Sequence, residues 1–276
     1  MNLVIQGPEL HKAHVDDIAE LARTARIEQI SPHAFRLRSA VRNDALGPYC
    51  EQRKIDHAWM PEGRRFAQLK LVAMDMDSTL ITIECIDELG DLAGKKDEIA
   101  AITAQAMRGE IEYRESLRRR VSALAGLPEN ALARVYEERL KLTPGADTLL
   151  KSCKDNGVKL LLVSGGFTYF TERLKARLGI DHTISNVLEV KSGKLTGALV
   201  GEIVDADAKA AKFRQVMTSL GSKPDQTVAI GDGANDLKMM KEAGISVAFR
   251  AKPVVRAQAS CALNWTGLDG VVNLFE

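Results

Sequence analysis

The stretch LKLVAMDMDSTL, at residues 69–80, joins a short apolar run to an acidic turn. Two later stretches repeat this arrangement, VKLLLVSGG at residues 158–166 and TVAIGDGAND at residues 227–236. Nearly continuous apolar runs of this length are typical of buried parallel strands, and amphipathic helical patterns that close near a glycine separate them. The sequence therefore predicts a doubly wound α/β parallel sheet within residues 66–276.

Two further segments modify this predicted sheet. From about residue 84 to residue 142 no comparable strand occurs, and amphipathic patterns such as ENALARVYEERLKL predict an all-helical insert, or cap, over the sheet. In NVLEVKSGKLTGALVGEIV, at residues 186–204, polar and apolar residues alternate on both sides of Ser192-Gly193. That alternation predicts an antiparallel hairpin near one edge of the sheet.

The first 65 residues follow a different pattern. Short apolar runs (NLVIQ, IEQI, AFRLRSAV and IDHAWM) and two helical stretches follow the order βαββαβ, which predicts a small α+β domain of ferredoxin-like topology. The segment PEGRR, at residues 61–65, is the expected linker. We therefore predict two domains, residues 1–65 and residues 66–276.

Composition and charge disfavour several classes of function. The chain has 276 residues, of which 45% are hydrophobic and 27% are charged, as in a folded globular protein. Its 38 basic and 37 acidic side chains give a net charge of +1, far from the strongly basic balance of nucleic-acid-binding proteins. No apolar run approaches the roughly 18 residues of a membrane span. We therefore expect no nucleic-acid or membrane partner, and the four cysteines, without a C-x-x-C pair, fit a cytoplasmic location.

The residues directly after the predicted strands carry the chemistry. Because ligands of open α/β sheets bind at the carboxyl ends of the strands, these residues are expected to meet in one pocket. They are Asp75, Asp77, Ser164, Asp232 and Asp236. Clustered carboxylates raise one another's pKa and are tolerated mainly around a cation. With oxygen ligands and no histidine nearby, Mg²⁺ is the expected cofactor.

Other motifs for such a pocket do not occur in the sequence. There is no G-x-x-x-x-G-K-[ST] loop for a nucleotide, and neither acidic turn has the glycine of a calcium loop. Ser164 lies outside a G-x-S-x-G elbow, and only His182 could act as its base, which disfavours a serine hydrolase. Phosphoryl transfer to a carboxylate nucleophile is the chemistry that remains.

The same residues resemble the motifs of the haloacid dehalogenase superfamily, which occur here in order as DMDST, SGG, a downstream Lys209 and GDGAND. Four further segments are similar to the branch of that superfamily that hydrolyses phosphorylated serine: DSTLITIE, YRESLRRRV, VSGGF and VDADAKA. The resemblance covers residues 71 to about 260. By its order of elements, the N-terminal unit resembles the small ACT-type domain that some members carry.

This resemblance implies a role for each acidic residue. Asp75 is the expected nucleophile, and Asp77 is the expected general acid and then general base. The side chains of Asp75 and Asp232, with the backbone carbonyl of Asp77, are expected to bind Mg²⁺. Asp236 is expected to support these ligands from close by.

The resemblance also implies the groups that bind the phosphate. Ser164 and Lys209 are expected to contact its oxygens together with the backbone amides of Met76 and Gly165. Asn235 is an expected substrate contact as well, although holding its own loop explains it equally.

Two residues of the predicted insert are expected to recognise the rest of the substrate. Glu84 suits an ammonium group, and Arg120 suits a carboxylate because its guanidinium is a planar fork. Tyr113 stands where the family pattern has an aromatic residue, and either substrate contact or helix packing explains it.

The implied reaction is the Mg²⁺-dependent hydrolysis of O-phospho-L-serine to L-serine and phosphate through an aspartyl-phosphate, the last step of serine biosynthesis. One alternative is another small phosphomonoester, such as phosphoethanolamine or a phosphorylated sugar. Another is a phosphate-accepting receiver or an amino-acid-sensing regulator. A homodimer is expected only from the likeness of the N-terminal unit to ACT-type domains.

Overall fold

Two β-sheets organise the chain, and the computed structural model describes residues 1–276. The strands are β1 (Asn2–Gln6), β2 (Ile27–Ser31), β3 (Ala34–Leu37), β4 (Asp56–Met60), β5 (Leu71–Met74), β6 (Lys159–Phe167), β7 (His182–Lys191), β8 (Lys194–Val200), β9 (Thr227–Gly231), β10 (Ile245–Phe249) and β11 (Cys261–Leu263). The helices are α1 (Lys12–Leu21), α2 (Leu46–Gln52), α3 (Cys85–Leu92), α4 (Lys96–Met107), α5 (Tyr113–Ser122), α6 (Asn130–Arg134), α7 (Ala146–Asp155), α8 (Thr168–Leu178), α9 (Ala206–Ser219), α10 (Leu237–Glu242), α11 (Pro253–Arg256) and α12 (Gly270–Asn273).

The N-terminal sheet is antiparallel, with strand order β2-β3-β1-β4 and the βαββαβ succession that the sequence predicts. Leu3 and Ile5 of β1 pack against the helices α1 and α2. Val4, between them, belongs to the large core of the rest of the protein together with Met60 of β4. Both faces of this sheet are therefore covered. The ACT-like assignment and the domain boundary after residue 65 stay predictions.

The second sheet has the order β11-β10-β9-β5-β6-β7-β8, and it is parallel except for the pair β7-β8. This confirms the predicted α/β parallel sheet. The predicted hairpin is also present, since Lys191 pairs with Lys194 and the two residues between them both have positive φ. The sequence analysis did not identify β10, which is as long as β9, or β11, which has only three residues.

Strand β5 lies at the centre of this sheet and is buried on both faces. Leu71 and Ala73 pack on one side with Phe213 of α9, whereas Val72 and Met74 join the core cluster on the other side. A strand covered on both faces needs apolar residues at successive positions. This explains why the run LVAM is continuous rather than alternating.

The helices α3–α6 form an insert whose two ends lie side by side. Ile81 and Leu142 are bridged as antiparallel partners. The amide of Thr82 donates to the carbonyl of Lys141 at 3.0 Å, and that of Thr143 donates to the carbonyl of Leu80 at 2.9 Å. The insert therefore leaves and rejoins the sheet directly beside the acidic turn that follows β5.

Asp56 of β4 anchors the N-terminal sheet to the C-terminal part of the chain. Its buried carboxylate accepts hydrogen bonds from the amides of Asn264, Trp265 and Thr266 at 2.7, 3.1 and 2.9 Å, and from the Thr266 hydroxyl at 2.8 Å. Burial raises the pKa of Asp56, and these hydrogen bonds oppose the rise. In the whole chain, no helix combines the length and apolar character needed to span a membrane.

Candidate active site

Three neighbouring strands place polar residues at one edge of the second sheet. Asp75 directly follows β5, Ser164 lies near the end of β6, and Asp232 directly follows β9. Because these strands are parallel neighbours, their carboxyl ends meet at the same edge, as the sequence predicts. Asp75, Ser164 and Asp232 therefore lie at one edge of the sheet, beside the two ends of the insert.

The turn Met76–Leu80 after β5 has an irregular backbone. Ser78 has a φ of 56°, a left-handed conformation that is uncommon for a residue with a side chain. Its amide donates to the carbonyl of Ile83 at 3.2 Å, and its hydroxyl donates to Glu84 Oε1 at 2.6 Å. Strained residues of this kind occur frequently at functional sites. Here the hydrogen bond from the Ser78 hydroxyl holds Glu84, at the start of the insert, against the acidic turn.

Lys209 is fully buried and joins two of the acidic residues. Its Nζ lies 2.6 Å from Asp75 Oδ1 and 2.8 Å from Asp236 Oδ1. Burial lowers the pKa of Lys209, but the attraction of Asp236 and Asp75 outweighs this and keeps the amine charged. The first turn of α9 presents Lys209 to the site, and Asp205 caps that turn by accepting from the amides of Asp207 and Ala208.

The side chains of Asp75, Asp232 and Asp236 form an acidic cluster, with one carboxylate oxygen of each within 4.8 Å of the others. Burial raises the pKa of Asp75 well above its ordinary range, and Lys209 opposes that rise. Burial and the repulsion of Asp236 raise the pKa of Asp232 to about 6. One buried ammonium cannot neutralise this cluster, so the cluster suits a divalent cation bound through oxygen atoms.

The three carboxylates differ in how their oxygens are used. Both oxygens of Asp236 accept hydrogen bonds, one from Lys209 and the other from the amide of Gly233 at 3.1 Å. The hydrogen bonds of Asp75 and Asp232 engage one oxygen each, and that of Asp232 is a 3.3 Å contact from the Thr79 hydroxyl. Asp75 and Asp232 therefore each have one carboxylate oxygen free of hydrogen bonds, which a metal ion could bind. In Asp236 both carboxylate oxygens already accept a hydrogen bond.

Asp77 lies outside this cluster and faces the irregular last part of β6, residues 164–166, where the pairing with β7 shifts register. Its Oδ1 accepts from the amide of Cys85 at 2.8 Å, and its Oδ2 accepts from the Ser164 hydroxyl at 3.3 Å. Burial raises the pKa of Asp77, while the hydrogen bonds from Cys85 lower it. A carboxyl group with a raised pKa can hold a proton that it later donates. Gly166 allows this approach, because a methyl group there would lie 2.6 Å from Asp77 Oδ2.

Two residues predicted to bind the phosphate, Ser164 and Gly165, lie in this part of β6. Ser164 is fully buried, and its hydroxyl oxygen accepts from the amide of Gly166 at 2.8 Å. Asn186 of β7 supports this part of the strand by donating to the carbonyl of Gly165 at 2.8 Å, and its Oδ1 accepts from the amide of Val204 at 2.8 Å. The sequence analysis missed Asn186, since no motif connects it to β6.

The two predicted substrate residues of the insert are Glu84 and Arg120. Glu84 is an exposed residue, and the protein around its carboxylate together with the charge of Asp77 raises its pKa to about 8. Arg118 and Arg119 are exposed, whereas Arg120 is half-buried, and its Nε is buried without a hydrogen-bond partner. The substrate contacts of Glu84 and Arg120 stay predictions.

Asn235 lies in the turn after β9, where its side chain is half-buried. A methyl group on Gly233 would lie 2.2 Å from Asn235 Oδ1, so the side chain folds back over its own loop. This contact favours a role in shaping the loop, and direct contact with a substrate stays a prediction.

Two regions of the chain match known protein families. Residues 72–241 match the haloacid dehalogenase-like hydrolases, and residues 3–46 match a family described only as a domain of unknown function. The first match covers more than half of the chain. The chain therefore belongs to the haloacid dehalogenase-like hydrolase family.

Several of its relatives in that family are phosphoserine phosphatases. The one from Polaromonas sp. is 54% identical over 217 residues, which cover 77% of this chain and 92% of the relative. The crystal structure of a probable phosphoserine phosphatase from Vibrio cholerae, in unliganded form, has a TM-score of 0.87 and 37% identity, with 99% of this chain and 86% of that chain covered. A substrate-bound phosphoserine phosphatase complex has a TM-score of 0.71 and 37% identity, with 75% and 99% covered.

Proposed function

We propose that this chain hydrolyses O-phospho-L-serine to L-serine and inorganic phosphate in a Mg²⁺-dependent reaction, the last step of serine biosynthesis. One observation carries the catalytic part of the proposal. Asp75 stands at the end of the central strand, 2.6 Å from the buried ammonium of Lys209. It lies beside a second carboxylate, that of Asp232, in which only one oxygen accepts a hydrogen bond. This arrangement supports a carboxylate nucleophile next to a cation site.

The reaction proceeds in two displacements at phosphorus. In the first, a carboxylate oxygen of Asp75 forms a bond to phosphorus, the bond from phosphorus to the serine oxygen breaks, and Asp77 gives its proton to that oxygen. In the second, Asp77 takes a proton from water, and the water oxygen displaces Asp75 from phosphorus. Phosphate leaves, and both carboxyl groups return to their starting states.

The acidic cluster fits Mg²⁺, because its ligands are all oxygen and its charge exceeds that of Lys209. Asp75 and Asp232 would hold the ion, together with the backbone carbonyl of Asp77, and Asp236 would fix the cluster through Lys209. When bound, Mg²⁺ offsets the repulsion between a carboxylate nucleophile and a phosphate dianion. Ser164, Lys209 and the amides of Met76 and Gly165 would bind the phosphate oxygens.

Arg120 supports phosphoserine over phosphoethanolamine. Its Nε is a buried donor without a protein partner, which is costly unless a ligand accepts the hydrogen bond. The carboxylate of phosphoserine supplies such an acceptor, and phosphoethanolamine has no carboxylate. At the opposite end of the substrate, Glu84 would take the ammonium group.

A phosphate-release assay tests this proposal. We expect release from O-phospho-L-serine to exceed release from phosphoethanolamine and sugar phosphates, and to stop when the divalent ion is chelated. Arg120→Ala should remove most of the preference for phosphoserine, whereas the exposed Arg118→Ala should keep it. Equal rates with all substrates, or full activity in chelator, would contradict the proposal.

We further propose a cytoplasmic location and a homodimer. The four cysteines are buried as free thiols, as is common in a reducing compartment. The outer edge of β2 is unpaired, since β3 is its only strand partner, and such an edge can pair with a second copy. Sedimentation of the intact protein as a monomer at micromolar concentration would contradict the dimer.

A further inference from the structure

Tyr113, the first residue of α5 in the insert, reaches across to the last part of β6. A methyl group on Gly165 would lie 2.2 Å from Tyr113 Oη and 3.4 Å from Tyr113 Cζ. The hydroxyl therefore lies directly against the backbone of Gly165, whose amide is predicted to donate a hydrogen bond to the phosphate. Only a glycine leaves room for the hydroxyl at this point.

Tyr113 is half-buried, and its hydroxyl forms no hydrogen bond within the protein. Burial raises the pKa of Tyr113, and the charges of Lys209 and Arg120 lower it. The phenol is therefore exposed to the field of the site's charged groups. A hydroxyl without a protein partner beside Gly165 is available to a ligand.

We propose that Tyr113 is a further substrate-contacting residue, whose hydroxyl donates a hydrogen bond to a phosphate oxygen beside the amide of Gly165. This inference deepens the proposed phosphatase activity and rests on it. Of the two explanations that the sequence left open for Tyr113, packing is observed, because its ring packs against the core, and substrate contact is what the proposal adds. The donor comes from the insert, whereas Ser164 and Lys209 come from the sheet.

Arg114, the next residue, links the start of α5 to the helix that carries Lys209. Its Nε lies 2.7 Å from Asp205 Oδ2, and its Nη2 lies 2.6 Å from the same oxygen. Asp205 caps that helix. Arg114 is largely exposed, so this ion pair contributes little to stability. The position of Tyr113 rests instead on the packing of its ring against the core.

Tyr113→Phe tests the contact, since it removes only the hydroxyl. We expect the KM for O-phospho-L-serine and the inhibition constant of inorganic phosphate each to rise about 10-fold. This is the loss of affinity expected when one hydrogen bond to a charged group is removed. Tyr136→Phe, which removes a hydroxyl elsewhere in the insert, is the matched control and should leave both constants unchanged. If Tyr113→Phe leaves both constants unchanged as well, the inference is wrong.

A second experiment tests the geometry directly. Gly165→Ala should lower activity because its methyl group collides with the Tyr113 hydroxyl. The double variant Gly165→Ala/Tyr113→Phe should be about 10-fold more active than Gly165→Ala, since the nearest remaining ring atom, Cζ, lies at a tolerable 3.4 Å. A double variant no better than Gly165→Ala would overturn the contact.

The outcomes separate this inference from the proposed function. A wild-type protein that releases no phosphate from O-phospho-L-serine contradicts the function. A wild-type protein that does so, with an equally active Tyr113→Phe variant, contradicts only the role of Tyr113. Calorimetric binding of inorganic phosphate in the presence of Mg²⁺ measures the Tyr113 contact without turnover, so it decides the inference in either case.

Discussion

Lys209 and Asp75 form an ion pair that is almost completely withdrawn from water, with side-chain exposures of 0% and 8% and a separation of 2.6 Å. The same ammonium pairs with Asp236, whose side chain is also fully buried. A buried charge is costly unless it is paired. Lys209 is therefore both a structural counter-ion for the carboxylates and, in the proposed reaction, a ligand of the phosphate.

Replacing Lys209 by Met leaves two buried carboxylates without their cation. We expect the free energy of unfolding in chelator to fall by about 3 kcal/mol, which is typical when one partner of a buried pair is removed. Urea denaturation measures this loss. Lys238→Met is the control, because Lys238 forms an exposed ion pair with Asp207 and should cost less than about 1 kcal/mol. Equal losses for the two variants would contradict the structural role of Lys209.

Asp232→Asn should stabilise the metal-free protein near pH 7.5. Burial raises the pKa of Asp232 to about 6 from an ordinary value of 3.8, so folding disfavours its ionised form. The resulting penalty is fully present above pH 6, decreases as the pH falls through 6, and is absent below 3.8. Asn cannot ionise, and we expect a gain of about 1–2 kcal/mol after allowance for partial solvent access.

Thermal unfolding in chelator at pH 7.5 and 4.5 measures the effect of Asp232→Asn. The gain should shrink at the lower pH, and Mg²⁺ should stabilise the wild type more than the variant. A variant less stable than the wild type at pH 7.5 without metal would contradict the ionisation penalty, and equal stabilisation of both proteins by Mg²⁺ would contradict the assignment of Asp232 to the cation site.

Gly166→Ala should reduce turnover by about 100-fold or more, a typical effect of a catalytic group displaced by about an ångström. The new methyl group would lie 2.6 Å from Asp77 Oδ2 and 3.0 Å from the Ser164 hydroxyl oxygen, so the proposed acid must move. Gly47→Ala is the control, because a methyl group there meets no atom within 4 Å. Steady-state phosphate release compares the two, and a Gly166→Ala variant as active as Gly47→Ala would remove Asp77 from the proposed role.

The parts of the site that the sequence predicts are those that follow from strand ends. Asp75, Ser164 and Asp232 each follow or end an apolar run, and neighbouring parallel strands necessarily bring those positions together. The parts that it does not predict depend on contacts between distant segments. Asn186 of β7 supports Gly165 in the neighbouring strand β6, and nothing in its local sequence distinguishes it from other hairpin residues.

The same contrast holds for the fold. The order of elements in the N-terminal sheet follows from local hydrophobic patterns, and the structure has that order. Its packing does not follow from such patterns, because the anchor between Asp56 and Thr266 joins residues 210 positions apart. Short strands such as β11 escape detection for a related reason, since three residues carry too little periodicity to distinguish a strand from a loop.

The most direct test of the proposed reaction is to locate the phosphoryl group on the enzyme. The protein is mixed with O-phospho-L-serine and Mg²⁺, quenched in acid during turnover, digested and examined by mass spectrometry. The account predicts one added phosphoryl group on the peptide that contains Asp75, and none in Asp75→Asn. Phosphorylation of a different residue, or phosphate release by Asp75→Asn at the wild-type rate, would contradict it.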